Sequence, residues 1–262
     1  MKLEERSVDQ LRIEDEVSFG HVALYADLKA VLQRAAYRFR ILPRTPSLRW
    51  DRALVLNLTF WGATGDGDVL VDDTLPADVV AHAAWHHLAS RALSLAKGSA
   101  PPAEALFFGE AIASAFDVYL VGRLLGHAPE SSFLETQVAA MADAADAAGL
   151  PAADFDALLD EVARDPERAF EDLRQLLVDA TLALCASADA DQALLALTRF
   201  DGHRFASLLH HYELSSWVLY ARAYARPDPT VAARVASLDR TLRDEKDAVD
   251  WLTKSWVLPA IS

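Results

Sequence analysis

His82-Ala-Ala-Trp-His86 sets two histidines at i and i+4. On a helix that spacing stacks both imidazoles on one face, close enough to share a metal ion. A bound metal ordinarily takes a third protein ligand and keeps one position for water, and a site of two His and one Glu draws that third ligand from a following helix. Glu110, in Phe107-Phe-Gly-Glu-Ala-Ile-Ala-Ser-Ala-Phe-Asp117, lies 24 residues after His86 on the next predicted helix. Asp117, seven residues further and on nearly the same helical face, is placed to accept the second N–H of a ligating imidazole and fix its tautomer. The plain alternative is a pair of partly buried histidines satisfied by backbone or carboxylate partners. His87 lies about 100° round the helix from His86, where it packs or meets solvent, and Trp85 reads as core.

The elements that must position these residues follow from periodicity. Apolar residues at Leu24, Leu28, Val31, Leu32, Ala35 and Phe39 predict an amphipathic helix over residues 22–40. Pro43 and Pro46 punctuate the chain, and residues 53–61 then alternate, with Leu54, Leu56, Leu58 and Phe60 on one face, as a strand does. Gly62-Ala-Thr-Gly-Asp-Gly-Asp supplies turn chemistry before a short return strand at Val69-Leu-Val, which completes a hairpin. Thr74-Leu-Pro-Ala-Asp offers an N-cap, an early proline and an acidic first turn for a helix over 76–97. Further helices are predicted over 103–125, 130–148, 152–163, 166–186, 191–199, 203–226 and 229–252, separated by Gly, Pro and Asp. The fold class expected is mainly α with a small β-hairpin or sheet (α+β). A break near Gly149-Leu-Pro divides residues 1–148, which hold the hairpin and the two histidine- and glutamate-bearing helices, from a helical region, 149–262, packed on it as one domain.

With these surroundings the segment over about residues 53–120 resembles the zincin metallopeptidases, of the gluzincin type, which carry His-Glu-x-x-His on one helix, a Glu ligand on a later one and strands just before the first. The resemblance implies a zincin-like metal helix preceded by strands and followed by a helical bundle. It implies Zn2+ held by His82, His86 and Glu110, with Asp117 behind a ligand. It also implies peptide hydrolysis, with an extended peptide paired along the edge of the strand at Leu54 to Phe60. Two residues depart from the pattern. The acid that usually follows the Glu ligand by one turn is Ser114 here, and the Glu that takes a proton from the metal-bound water is Ala83. Loss of that base costs about 10²- to 10⁴-fold in rate. The chain as written is therefore expected to be inactive, whether as a natural pseudoenzyme or as an engineered Glu-to-Ala variant, unless the base comes from elsewhere. A transition-state donor from the later helices would be His210 or Tyr212, and the plain reading of His203, His210, His211 and Tyr212 is a packed or solvent-facing helix.

Composition removes other classes. The chain has 262 residues and a formal net charge of −14, which argues against sequence-independent phosphate binding and against nucleic acid as a partner. A single cysteine, Cys185, leaves any metal to His and carboxylate. The charged amino terminus lacks the apolar region of a secretory signal, no apolar run reaches the length of a membrane span, and a cytoplasmic protein is the expectation. Three rivals remain: a non-catalytic helical module that binds a protein partner, a helical carboxylate–histidine oxygenase using iron, and a helical regulatory domain without metal.

Overall fold

The computed structural model describes residues 3–42, 69–95 and 100–262. It is mainly helical, with two small sheets near the amino terminus. Strand β1 (Glu4–Ser7) pairs antiparallel with β3 (Arg38–Ile41), and β4 (Val69–Leu70) joins the other side of β3 in parallel. Strand β2 (Arg12–Glu14) pairs in parallel with β5 (Thr74–Pro76). The predicted strand over 53–61 and its turn lie outside the described residues, as does the peptide-binding edge assigned to Leu54–Phe60. Val69-Leu70 is a strand as expected, and its described neighbour is β3.

The helix predicted over 22–40 is corrected. After the short α1 (Glu16–Phe19), helix α2 spans Ala23–Arg34, and Phe39, assigned to a helical face, is buried in β3. The helix stops because Ala36 takes φ +48, so that Tyr37 N–H reaches back to Leu32 O at 2.9 Å and Ala36 N–H to Gln33 O at 3.0 Å. That is a Schellman termination, which usually announces itself with a glycine and here does not.

From residue 77 the chain is helical, in agreement with the sequence. Helix α3 (Ala77–Leu93) starts from an N-cap at Pro76, two residues after the Thr74 candidate, and ends at Ser94, which is also left-handed. Helix α4 (Ala103–Leu125) has the predicted bounds. It is long and apolar enough by length and composition to cross a membrane, yet 83% of that stretch is buried inside the protein, as befits a central core helix. Then come α5 (Ser132–Ala147), α6 (Ala152–Arg164) and α7 (Pro166–Ala186). They are followed by α8 (Ala190–Leu197), α9 (Leu214–Tyr224), α10 (Pro229–Asp244), α11 (Ala248–Leu252) and α12 (Leu258–Ile261). Two predicted helices are interrupted. The one over 203–226 is a 3-10 segment, Ala206–Tyr212, broken from α9 by Glu213 at φ +50, and the one over 229–252 pauses between α10 and α11 at Glu245–Asp247.

α4 packs against α3 on one side and along α7 on another, and one continuous apolar core runs through all three. Gly122 permits the approach of α4 to the α6–α7 junction: a Cβ there would lie 2.6 Å from Val162 O and 2.9 Å from Pro166 Cβ. The wholly buried Arg174 on α7 is held by Glu171, Nη2 to Oε1 at 2.6 Å, and by Asp239 of α10 at 2.7 Å. A buried guanidinium demands such partners, so the network fixes how α10 sits on α7. At the other end, Asp15 accepts from Ser131 Oγ at 2.5 Å and from Phe133 N–H at 3.2 Å, which ties the amino-terminal segment to the start of α5.

Candidate metal centre

Helix α3 presents His82 and His86 towards α4, which presents Glu110 back. The two Nε2 atoms lie 3.1 Å apart, and Glu110 Oε2 is 3.4 Å from His86 Nε2 and 3.9 Å from His82 Nε2. A point equidistant from these three atoms falls about 2.0 Å from each, the bond length of a divalent metal to imidazole nitrogen or carboxylate oxygen. The three residues thus form a group that could bind a metal ion, with ligand atoms already converged and all three side chains partly buried. Gly109, just before Glu110, faces the same ring: a Cβ there would lie 3.6 Å from His86 Nδ1, in ordinary van der Waals contact.

Burial works to raise the Glu110 carboxyl, but the charges of His86 and His82 and the hydrogen bond from His86 outweigh it and hold the group below its ordinary value. The carboxylate is therefore ionised and available as a ligand at neutral pH. Asp117 Oδ2 lies 3.8 Å from His82 Nδ1, on the side of the ring away from Glu110. This is the side from which a carboxylate orients a ligating imidazole so that Nε2 faces the metal.

Other residues of the sequence reading fall around this centre. Trp85 is fully buried, edge-on to Phe116 at 5.4 Å, and His87 packs edge-on to Tyr37 at 5.9 Å. Ser114 is buried between Glu110 and Asp117 in sequence. Ala83 is 1% exposed, part of the core under α3. His210 lies at the surface, and His203, predicted on the same helix, sits before the 3-10 segment and accepts from Phe205 N–H through Nδ1 at 3.2 Å. It is His211 and Tyr212 that come within range of the Asp117 charge: burial lowers the His211 imidazole against Asp117, and burial together with Asp117 raises the Tyr212 hydroxyl.

Sequence reasoning passed over Asp78. One turn before His82 on α3, its carboxyl is pushed up to about 6, first by burial and then by the negative charge of Asp117, while its own and Val79's backbone N–H groups and His82 pull the other way. The spacing Asp78, His82, His86, all four apart, was the available signal. No known protein-family model matches the chain, and neither a curated protein nor a solved structure matches it.

Proposed function

We propose that the protein is a zincin-like metal-binding protein, with Zn2+ held by His82, His86 and Glu110, and that its site is related to those that hydrolyse peptides. The observation that carries this reading is the 3.1, 3.4 and 3.9 Å triangle of nitrogen and oxygen atoms presented by two neighbouring helices. Two imidazoles and one carboxylate suit zinc, with a coordination position left for water or substrate. Once bound, zinc supplies Lewis acidity that polarises a carbonyl and acidifies water. The chain's own residues do the rest: Glu110 would add the negative charge, and Asp117, with Oδ2 3.8 Å from His82 Nδ1, would favour the proton on Nδ1 and so leave the Nε2 lone pair to the metal. Ala83 has no group with which to move a proton, so peptide turnover is expected to be slow or absent. With no base at position 83, a second reading of the same site is that it holds a peptide or protein partner rather than cleaving it.

The test is elemental mass spectrometry on tag-free protein beside the His82→Ala and Glu110→Gln variants. Near one equivalent of zinc in the parent, lost in both variants, supports the site. No stoichiometric metal under zinc-replete conditions overturns it and leaves a helical interaction protein. With zinc present, Ala83→Glu separates the two readings. A gain of about 10²-fold or more in hydrolysis of a casein-type substrate points to a peptidase that lacks its base. No gain, with zinc content and the helical circular dichroism spectrum of the variant unchanged, points to a binding role.

A further inference from the structure

Away from the metal centre, a cavity of about 430 Å³ opens between the start of α2, the later half of α4, the first turn of α7 and α11. Small-molecule sites run from about 300 to 1,000 Å³, so its size suits a compact ligand. Four carboxylates line it, Asp27, Glu167, Asp247 and Asp250, against one guanidinium, that of Arg123. Two of the four are already neutralised. Arg123 pairs with Glu167 and lies over the ring of Tyr119, 5.1 Å from its centroid, and Asp250 pairs with Lys254 at 2.7 Å. The other two have no cation among the described residues. Asp27, partly buried, makes neither an ion pair nor a hydrogen bond, and Asp247 accepts only the Asp250 N–H, through Oδ1 at 2.8 Å, as the N-cap of α11. The wall that carries Asp247 is also irregular. At Thr253, which lines the cavity, its helix passes into a π-helical turn, Thr253–Val257, and such turns are frequent at functional sites.

We infer that this cavity binds a small organic dication, a short α,ω-diamine, with one ammonium on Asp27 and the other on Asp247. The two unmatched carboxylates belong to separate walls, α2 and the start of α11, so two charges at the ends of one chain answer them better than a single charge. Attraction between such charges is stronger in a cleft that excludes part of the water than on an open surface. An ammonium offers three N–H donors and no acceptor, which suits a lining rich in carboxylate oxygen. Between the acids the lining is apolar, with Val22, Leu24 and Val249, and it receives the methylene chain. The opposite choice, an anion, would find Arg123 and the start of α2, whose N-cap Val22 has no side-chain acceptor, but it would also face the four carboxylates. The inference does not rest on the metal reading above.

Calorimetric titration of the full chain at neutral pH tests this, with a chelator present so that no amine is held by a metal ion. The probes are putrescine, butylamine, butanediol and succinate, which share a four-carbon chain and differ in charge. Putrescine is expected to bind about 10-fold or more tightly than butylamine, the range of one charge-assisted hydrogen bond, and butanediol not at all. Asp27→Asn and Asp247→Asn should each bring putrescine down to about the affinity of butylamine. Both variants should keep the helical circular dichroism spectrum, because Asp27 holds no other group and asparagine caps a helix about as well as aspartate. No binding of putrescine at millimolar concentration, or equal binding of putrescine and butylamine, overturns the inference. A preference for putrescine that survives both substitutions also overturns it, since the acidic surface and not the cavity would then be the binder. Succinate binding more tightly than putrescine overturns it in favour of an anion site at Arg123 and the start of α2.

Discussion

Replacing Asp78 by Asn should make the metal-free protein more stable at neutral and alkaline pH, although it removes a charged residue from the first turn of a helix. In the folded chain the Asp78 carboxyl titrates at about 6, against 3.8 for an ordinary aspartate, because burial and Asp117 both disfavour its ionised form. The folded state therefore binds the proton more tightly than the unfolded state. The stability associated with that proton is fully present below pH 3.8 and is lost as the pH rises through about 6. At about 1.4 kcal/mol for each tenfold change in proton affinity, the loss is on the order of 3 kcal/mol once both states are ionised. Asparagine removes the charge, gives back about 0.3–1 kcal/mol of favourable interaction with the helix N-terminus, and leaves a net gain of about 2 kcal/mol. Urea unfolding in the presence of a chelator, at intervals from pH 4 to pH 8, gives the difference between variant and parent directly. That difference should be about 2 kcal/mol at pH 8 and should shrink to near zero or change sign by pH 4. Other groups contribute their own pH dependence, Asp15 and Asp239 in the opposite sense, but they are common to both proteins and cancel. A variant no more stable than the parent at pH 8, or a difference that does not depend on pH, would refute the account of Asp78 as a carboxylate held against its preference.

Three further outcomes follow from packing and charge. Gly122→Ala should destabilise by about 1–3 kcal/mol despite alanine's better helix propensity, since its Cβ meets rigid backbone at Val162; Gly126→Ala, with open space around it, should be neutral or slightly stabilising by thermal unfolding. Arg174→Ala should cost about 3–5 kcal/mol by leaving Glu171 and Asp239 without their cation, and Arg174→Met should cost about as much unless the acids are neutralised with it, as denaturant midpoints will show. Gly109→Val should lower zinc affinity about 10- to 100-fold in a chelator competition by displacing the His86 ring, with the helical circular dichroism spectrum retained.

Much of the helical architecture was legible because its punctuation is conventional. Helix α4 has Pro102 before it and Gly126 after it, and α7 has Asp165 as N-cap, accepting from Arg168 N–H at 3.1 Å, and proline as its first residue. Where punctuation was missing, the reading ran on. Ala36, Ser94 and Glu213 all adopt left-handed backbone without being glycine, and at each of them a predicted helix ran through the break. The strands β1 and β2 escaped notice for another reason. They are short and charged, Glu-Glu-Arg-Ser and Arg-Ile-Glu, so neither shows an alternating apolar face, and their pairing depends on partners far along the chain. At the centre, His82 could be paired with His86, and Glu110 with Asp117, from spacing, because helical periodicity carries a side chain's direction, whereas setting Glu110 opposite the histidines took the two-His-one-Glu ligand pattern as well. Asp78 and the partnerless hydroxyl of Tyr212 could not be singled out, since what distinguishes them is the burial and charge supplied by other helices.

The two ligand-bearing helices also give the centre a mechanical character. His82 and His86 belong to α3 and Glu110 to α4, so the ion would join two segments that are otherwise held together by side-chain packing. Bond lengths to a metal tolerate displacements of only about 0.2 Å, whereas packed helices slide by an ångström or more when their contacts are altered. Occupancy would then act as a gauge of the register between α3 and α4. Substitutions deep in the core, far from any ligand, would be read out as altered metal release rates, and the ion in turn would slow the separation of these helices in hydrogen exchange.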